Sequence, residues 1–303
     1  MDKAFSIHEK VSSSEEIVLM ADKIIFSQKT RFQDVKIAEV AGLGKVLFLD
    51  NVVNSAENDE FIYHEMLVHP AMLTYPKPKT VLIIGGSEGA VAREVLKHDV
   101  KRVVMVDIDE ELVKLCQKHL QSYSKGSYDD PRLKVHFEDG RKYIEETDET
   151  FDVILLDLPD PVEDGPAAPL FTEEFYKLAY GCLSEDGVLC LQAEEIDYGR
   201  ERMHARLFNT VKKAFPITKS YSYMQRSFFG ALGFIIGSKR IDTLDEQVLE
   251  RSREFVKSNP ELGYYWDGLH QTMFTLPRYL CKAYGRETDT FSDKKIAIYR
   301  QDR

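Results

Sequence analysis

The chain has 303 residues and a mass of 34.9 kDa, with 51 acidic against 40 basic side chains and a formal charge of −11. That acidity argues against nucleic acid as the main partner, since phosphate binding wants a basic face, and it suits a cationic metabolite. A hydrophobic content of 43% supports a packed core, but no apolar run approaches a membrane span and no basic-then-apolar leader is read, so a cytoplasmic location is expected.

Residues 1–56 are expected to form a small antiparallel β domain. Alternating segments run over Glu16–Met20, Lys23–Ser27, Asp34–Val40 and Lys45–Leu49, with Gly42 and Gly44 marking a turn. Residues 57–74 read as a helix carrying Tyr63, His64, Met66 and Leu67, and Pro76 and Pro78 end it. From Thr80 onward, strands are predicted near 80–84, 102–106, 133–137, 151–156, 187–192, 218–223 and 232–237. Helices fall between them at about 89–98, 109–121, 140–146, 172–183 and 200–214. This alternation predicts an α/β fold, a doubly wound and mostly parallel sheet of Rossmann-like methyltransferase type. The catalytic domain is expected over 57–303. Its extension, about 241–303, adds a charged helix near 244–258, an aromatic segment, a second helix near 269–284 and a short final strand.

Two strand ends carry the chemistry. Thr80–Gly85 runs into the turn Gly85-Gly86-Ser87-Glu88-Gly89, and the next strand ends at Asp107. Glycines allow tight turning and close ligand approach, and an acid at the end of the second strand binds ribose hydroxyls, so a nucleoside-type ligand is expected. The strand Phe151–Leu156 ends in Asp157-Leu158-Pro159-Asp160-Pro161. Ligands of open α/β sheets sit beyond the carboxyl ends of strands, so Asp157 and Asp160 face the crevice and favour a cation there, stiffened by the prolines. The cysteines, at 116, 182, 190 and 281, form no Cys-x-x-Cys pair and read as free thiols. His64 and His69 are poorly spaced for one helical face, and no metal site is expected.

Blander readings stand beside these. Glu88 suits a helix N-terminus on dipole grounds alone. Asp107 also has a plainer reading as a strand-end cap, Tyr63 and His64 as helix core, and Gln33 as a surface strand residue. Glu194, Glu195 and Asp197 read as a solvated loop, and Tyr264, Tyr265 and Trp266 as packing.

The run Ile84-Gly-Gly-Ser-Glu-Gly89, with Val104-Met-Val-Asp-Ile-Asp109, Glu138-Asp-Gly140 and Asp157-Leu-Pro-Asp-Pro161, resembles the polyamine aminopropyltransferases, the family of spermidine synthase. Asp59-Glu-Phe-Ile-Tyr-His-Glu-Met66, Tyr264-Tyr-Trp-Asp-Gly-Leu-His270 and Phe274-Thr-Leu-Pro277 resemble the same family's flanking motifs, and the likeness spans Ser27 to Pro277. It implies transfer of an aminopropyl group from decarboxylated S-adenosylmethionine, as co-substrate, to a polyamine amine, with no metal and no tightly bound cofactor. Asp157 is then the catalytic acid–base residue. Tyr63 and His64 lie beside the attacking amine, Asp160 and Glu194 hold the acceptor, and Gln33, Gly85, Gly86, Glu88, Asp107, Asp139 and Gly140 contact the donor. A homodimer or homotetramer built through the N-terminal domains is implied as well.

Departures from the spermidine synthase pattern are informative. Gly-Gly-Ser-Glu-Gly-Ala stands where that pattern has Gly-Gly-Gly-Asp-Gly-Gly, and Ser227, in Arg226-Ser-Phe-Phe-Gly230, stands in place of an acceptor-contacting tyrosine. Both changes, with Asp160-Pro-Val-Glu-Asp-Gly-Pro166, resemble the thermospermine synthase branch, which implies spermidine as acceptor and Ser227 as an acceptor-site residue. Glu163 and Asp164 are candidate partners for further ammonium groups, and Glu163–Pro169 for a mobile gate. The alternatives are a putrescine, cadaverine or agmatine aminopropyltransferase and, from another class, an S-adenosylmethionine methyltransferase.

Overall fold

A computed structural model describes residues 5–12, 14–161, 165–296 and 298. The N-terminal segment folds into a five-stranded antiparallel meander, in the order β1 (Phe5–Lys10), β2 (Glu16–Lys29), β3 (Asp34–Val40), β4 (Gly44–Leu49) and β5 (Val52–Ala56). The expected segments Glu16–Met20 and Lys23–Ser27 are one strand. Register shifts between Ala21 and Lys23 and between Ile24 and Phe26 interrupt its alternation, and such bulges make one strand read as two. The outer strands β1 and β5 were not expected from the pattern.

Helix α1 (Glu60–Thr74) leads to the second sheet, whose seven strands lie in the order β11-β12-β10-β9-β6-β7-β8. They are β6 (Thr80–Gly85), β7 (Arg102–Asp107), β8 (Leu133–Phe137), β9 (Phe151–Asp157), β10 (Leu183–Glu195), β11 (Ile217–Gln225) and β12 (Gly230–Ser238). Pairing is parallel from β10 through β9, β6 and β7 to β8, and antiparallel where β12 meets β10 and β11. Val81, Ile83, Met105, Val153 and Leu155 pack on one face, and Leu82, Ile84, Val104, Ile154 and Leu156 on the other. Burial on both faces explains why these strands read as unbroken apolar runs.

The intervening helices are α2 (Ala90–Leu96), α3 (Glu110–His119), α4 (Gln121–Ser124), α5 (Gly140–Glu146), α6 (Glu173–Cys182) and α7 (Arg202–Ala214). Beyond β12 come α8 (Glu246–Ser258), α9 (Asp267–Thr272) and α10 (Arg278–Arg286). The single helix expected over 269–284 is therefore two, because Pro277 lacks an N–H and biases the residue before it away from helix. The expected final strand reduces, among the described residues, to an isolated bridge between Ser292 and Lys295. The extension is tied to α1 by Glu65, whose carboxylate accepts the backbone N–H groups of Gly263, Tyr264 and Tyr265 at 2.7–2.8 Å.

The sheet reverses its winding between β6 and β9, so the crevice opens there, beyond Gly85 and Asp157, which are register partners. Of the proposed gate, Glu163 and Asp164 lie outside the described residues, while Ala167 and Ala168 are buried, and Ala167 packs with Leu170 and Phe171 in the core. Among the described residues no helix is long and apolar enough to cross a membrane.

Candidate active site

The glycine turn is shaped by its neighbour strand. Gly85 has φ 84°, and a Cβ there would lie 2.0 Å from the Asp157 carbonyl oxygen, so only glycine fits at the point where β6 meets β9. The turn is braced from outside the site: Tyr128 Oη donates to Ser87 O at 2.6 Å, and Ser127 Oγ donates to Gly89 O at 2.8 Å. Glu88 is 5% exposed. Burial, reinforced by the negative charge of Asp157, pushes its carboxyl up to about 7.

Across the crevice α1 delivers Tyr63 and His64. Tyr63 Oη donates to Asp157 Oδ1 at 2.5 Å. Burial raises the Asp157 pKa, with His64 and the Tyr63 hydrogen bond opposing the rise. Asp157 is thus a carboxylate on the crevice floor with a proton affinity above the ordinary aspartate range. His64 Nδ1 lies 2.7 Å from Glu60 Oε2, and Glu60 in turn accepts two hydrogen bonds from Arg93, at 2.8 and 2.9 Å. Burial pulls the imidazole pKa down, but Glu60, with Asp157 and Glu88 behind it, outweighs burial and holds it above its ordinary value.

The far end of the crevice is acidic. Burial pushes Asp160 up to about 6, and burial with the charge of Asp160 raises Glu194 well above the ordinary glutamate range. Glu194 is 2% exposed rather than solvated, and its φ of 68° places a non-glycine residue in the left-handed region at a bulge in β10. A strained bulge of this kind re-aims a side chain. It leaves Glu194 Oε1 buried with no partner, beside the similarly unpaired Oε1 of Gln192. Burial and then Asp160, Asp197 and Glu9 raise Glu195 to about 7, so a β1 residue of the first sheet belongs to the same acidic field.

The other side of the crevice lies beyond β7. Burial pushes Asp107 up to about 7, and one of its oxygens accepts the Asp109 N–H at 2.8 Å. Asp109 is a hub: it accepts from Thr30 Oγ1 at 2.6 Å, Gln33 Nε2 at 3.2 Å and Leu112 N at 3.0 Å, and so joins the first sheet to the second. Asp139 caps α5 by accepting from Arg141 N and Lys142 N, and stays exposed. A Cβ on Gly140 would sit 2.4 Å from Ile84 Cγ2, so this glycine has a packing reason as well.

The structure therefore gathers Tyr63, His64, Gly85, Gly86, Glu88 and Asp157 at the crevice floor, with Asp160 and Glu194 to one side and Asp107 to the other. Gln33 approaches through Asp109. Ser227 is the exception. It is fully buried, its N–H donates to Asp59 Oδ2 at 2.9 Å, and its Oγ accepts from Gln225 Nε2 at 2.8 Å, so its hydroxyl is used within the protein. The next residue, Phe228, turns toward Tyr63, their ring centroids 6.2 Å apart. Sequence reading missed Glu60, Asp109 and Gln192, although each stands in a motif it read, Gln192 in the Leu191-Gln-Ala-Glu194 that carries Glu194. Among the described residues no group of three or more His, Cys, Asp or Glu is placed to hold a metal ion.

A family model described as the spermine/spermidine synthase domain matches residues 60–247, and one described as the spermidine synthase tetramerisation domain matches 7–57. A polyamine aminopropyltransferase of Hyperthermus butylicus is 39% identical over 297 residues, covering 95% of each chain. One of Pseudomonas aeruginosa is 39% identical over 266 residues, covering 88% of this chain and 75% of its own. The crystal structure of a spermidine synthase in complex with the transition-state analogue AdoDATO superposes with a TM-score of 0.88 at 34% identity, covering 94% of this chain and 98% of that one. The Thermotoga maritima spermidine synthase superposes with a TM-score of 0.86, also at 34% identity, covering 94% and 97%.

Proposed function

The chain belongs to the spermine/spermidine synthase family and is a polyamine aminopropyltransferase, and from that premise we propose that it transfers the aminopropyl group of decarboxylated S-adenosylmethionine to spermidine, forming thermospermine and releasing methylthioadenosine. In this reading a neutral amine nitrogen attacks the carbon next to the sulfonium. The C–N bond forms, the C–S bond breaks with its electron pair going to sulfur, and the new ammonium gives up a proton. Sulfonium is a good leaving group, so positioning and a neutral nucleophile are what the protein must supply. Asp157, held by Tyr63 and raised in proton affinity, takes the proton. Glu88 and Asp157 attract the donor's terminal ammonium and repel a carboxylate in its place, which weighs against an S-adenosylmethionine methyltransferase. Asp107 holds the ribose, Gln33, Gly85 and Gly86 line the donor, and Asp139 and Gly140 lie toward the adenine.

The observation that carries the choice of acceptor is the cluster of buried carboxyls Asp157, Asp160, Glu194 and Glu195, with Glu9 in the same field, which offers more hydrogen-bond and charge partners than the two nitrogens of a diamine require. The test is a product assay with decarboxylated S-adenosylmethionine and putrescine, cadaverine, agmatine, norspermidine or spermidine, resolved by chromatography that separates thermospermine from spermine. Turnover chiefly with spermidine, giving thermospermine, is expected. Turnover chiefly with a diamine would overturn the acceptor assignment and leave the chemistry standing.

We also propose that the five-stranded sheet of residues 1–56 assembles the chain into a homodimer or homotetramer. It exposes Phe5, Val18 and Met20 on β1 and β2, side chains that association would cover. Sedimentation equilibrium should show two or four copies, and a monomer at micromolar concentration would refute this.

A further inference from the structure

Strand β11 meets α1 like a ladder. Tyr221, Tyr223 and Gln225 point to one face, and each reaches α1 about one helical turn nearer its start. Tyr221 Oη donates to Met66 O at 2.7 Å and also lies 3.2 Å from Cys190 Sγ. Tyr223 stands edge-on to Tyr63, centroids 6.1 Å apart at 72°, and Gln225 Nε2 donates to Asp59 Oδ1 at 3.1 Å. The polar tips of the outer two rungs are engaged by α1. The middle rung is not: Tyr223 is 3% exposed and its Oη has no partner.

A buried hydroxyl left unpaired costs free energy, so its presence needs a compensating partner. The position of this one says what that partner is. Tyr223 stacks on Phe234 with centroids 4.9 Å apart, which fixes the ring against Tyr63, the residue that holds Asp157. Burial, and after it the negative charges of Asp157, Asp59 and Asp160, hold its hydroxyl above the ordinary tyrosine range, so it sits in the field of the crevice carboxylates. The other unpaired buried atoms at the ends of β10 and β11, Gln192 Oε1, Glu194 Oε1 and Gln225 Oε1, are all acceptors. A row of acceptors among carboxylates matches a chain of nitrogens carrying several N–H donors.

We propose that Tyr223 is an acceptor-binding residue, its Oη accepting a hydrogen bond from a polyamine nitrogen lodged between Asp157 and Asp160, and that it does so in place of the loop residue Ser227, whose hydroxyl is turned inward to Gln225. Contact at β11, rather than from the loop above, leaves room over the crevice for a longer acceptor. This deepens the aminopropyltransferase reading and rests on it.

Tyr223→Phe tests the assignment, because it keeps the ring and its stacking and removes only the oxygen. Spermidine is titrated calorimetrically into the whole protein in the presence of methylthioadenosine, and steady-state constants are measured for both substrates. The variant should bind spermidine about tenfold more weakly and show a similar rise in acceptor KM, with donor KM unchanged. Its melting temperature should be unchanged or higher, since an unpaired buried group has gone. Unaltered spermidine affinity would overturn the proposal, and so would a lower melting temperature with both KM values raised, which marks a structural role. If the wild type takes a diamine instead, the same comparison is made with that diamine and decides in the same way. A wild type that binds and uses no amine would remove the functional reading, and this proposal with it.

Discussion

Replacing Asp157 by Asn is expected to lower turnover by about three orders of magnitude, the range associated with loss of a positioned proton acceptor. The substitution preserves shape, and Tyr63 Oη can still donate to the amide oxygen where it now meets Oδ1. What is lost is the charge and the basicity that burial confers on the carboxylate. About 1,000-fold corresponds to about 4 kcal/mol of barrier, more than a neutral hydrogen bond contributes and in keeping with a charged group that acts on the reacting nitrogen. Single-turnover kinetics with both substrates saturating reads the effect free of binding. Near-normal single-turnover rates would end the assignment of Asp157 as the proton acceptor. A loss confined to KM would reassign Asp157 to binding.

The second large effect concerns the donor. Glu88→Gln should reduce discrimination between decarboxylated S-adenosylmethionine and S-adenosylmethionine by about 100-fold. Two unit charges about 4 Å apart interact by about 4 kcal/mol at an effective dielectric of 20, and somewhat more than half of that gives this factor. The ratio of the KM of the first to the inhibition constant of the second measures it. The pH dependence follows from the sign of the shift. Burial and Asp157 raise Glu88 to about 7, so below that pH it keeps its proton and neither attracts ammonium nor repels carboxylate. Discrimination by the wild type should therefore grow as pH rises from 6 to 8, and the glutamine variant should show a flatter profile. Equal discrimination by both proteins across that range would show that donor choice is made elsewhere.

Tyr63, His64, Glu88 and Asp157 were legible from the chain because each stands at a place that local pattern marks: the end of an apolar strand, the turn after one, or a helix bearing a recognisable motif. Glu194 was legible as a residue but not as a state. In the sequence it belongs to a charged run that also reads as a solvated loop, and it is the bulge in β10 that turns it inward. Asp109 stood in a quoted motif, yet its role depends on Thr30 and Gln33, which reach it from another sheet. Ser227 was marked by comparison with a loop pattern, and its burial against Asp59 and Gln225 redirects attention to Tyr223, which no local pattern distinguished.

Hydrophobic period, glycine placement and strand-end acids are local properties, so the order of elements, the doubly wound sheet, the glycine turn after β6 and the acids at the end of β9 could be read from the chain alone. Proton affinity, strain and unpaired atoms are properties of surroundings assembled from distant segments. The elevated carboxyls of Glu88 and Asp107, the Glu60–Arg93 support beneath His64 and the unpaired hydroxyl of Tyr223 came into view only with the packing of α1, β10 and β11 around the crevice. Burial is what turns an ordinary side chain into a reactive or selective one, and burial is decided by the whole fold.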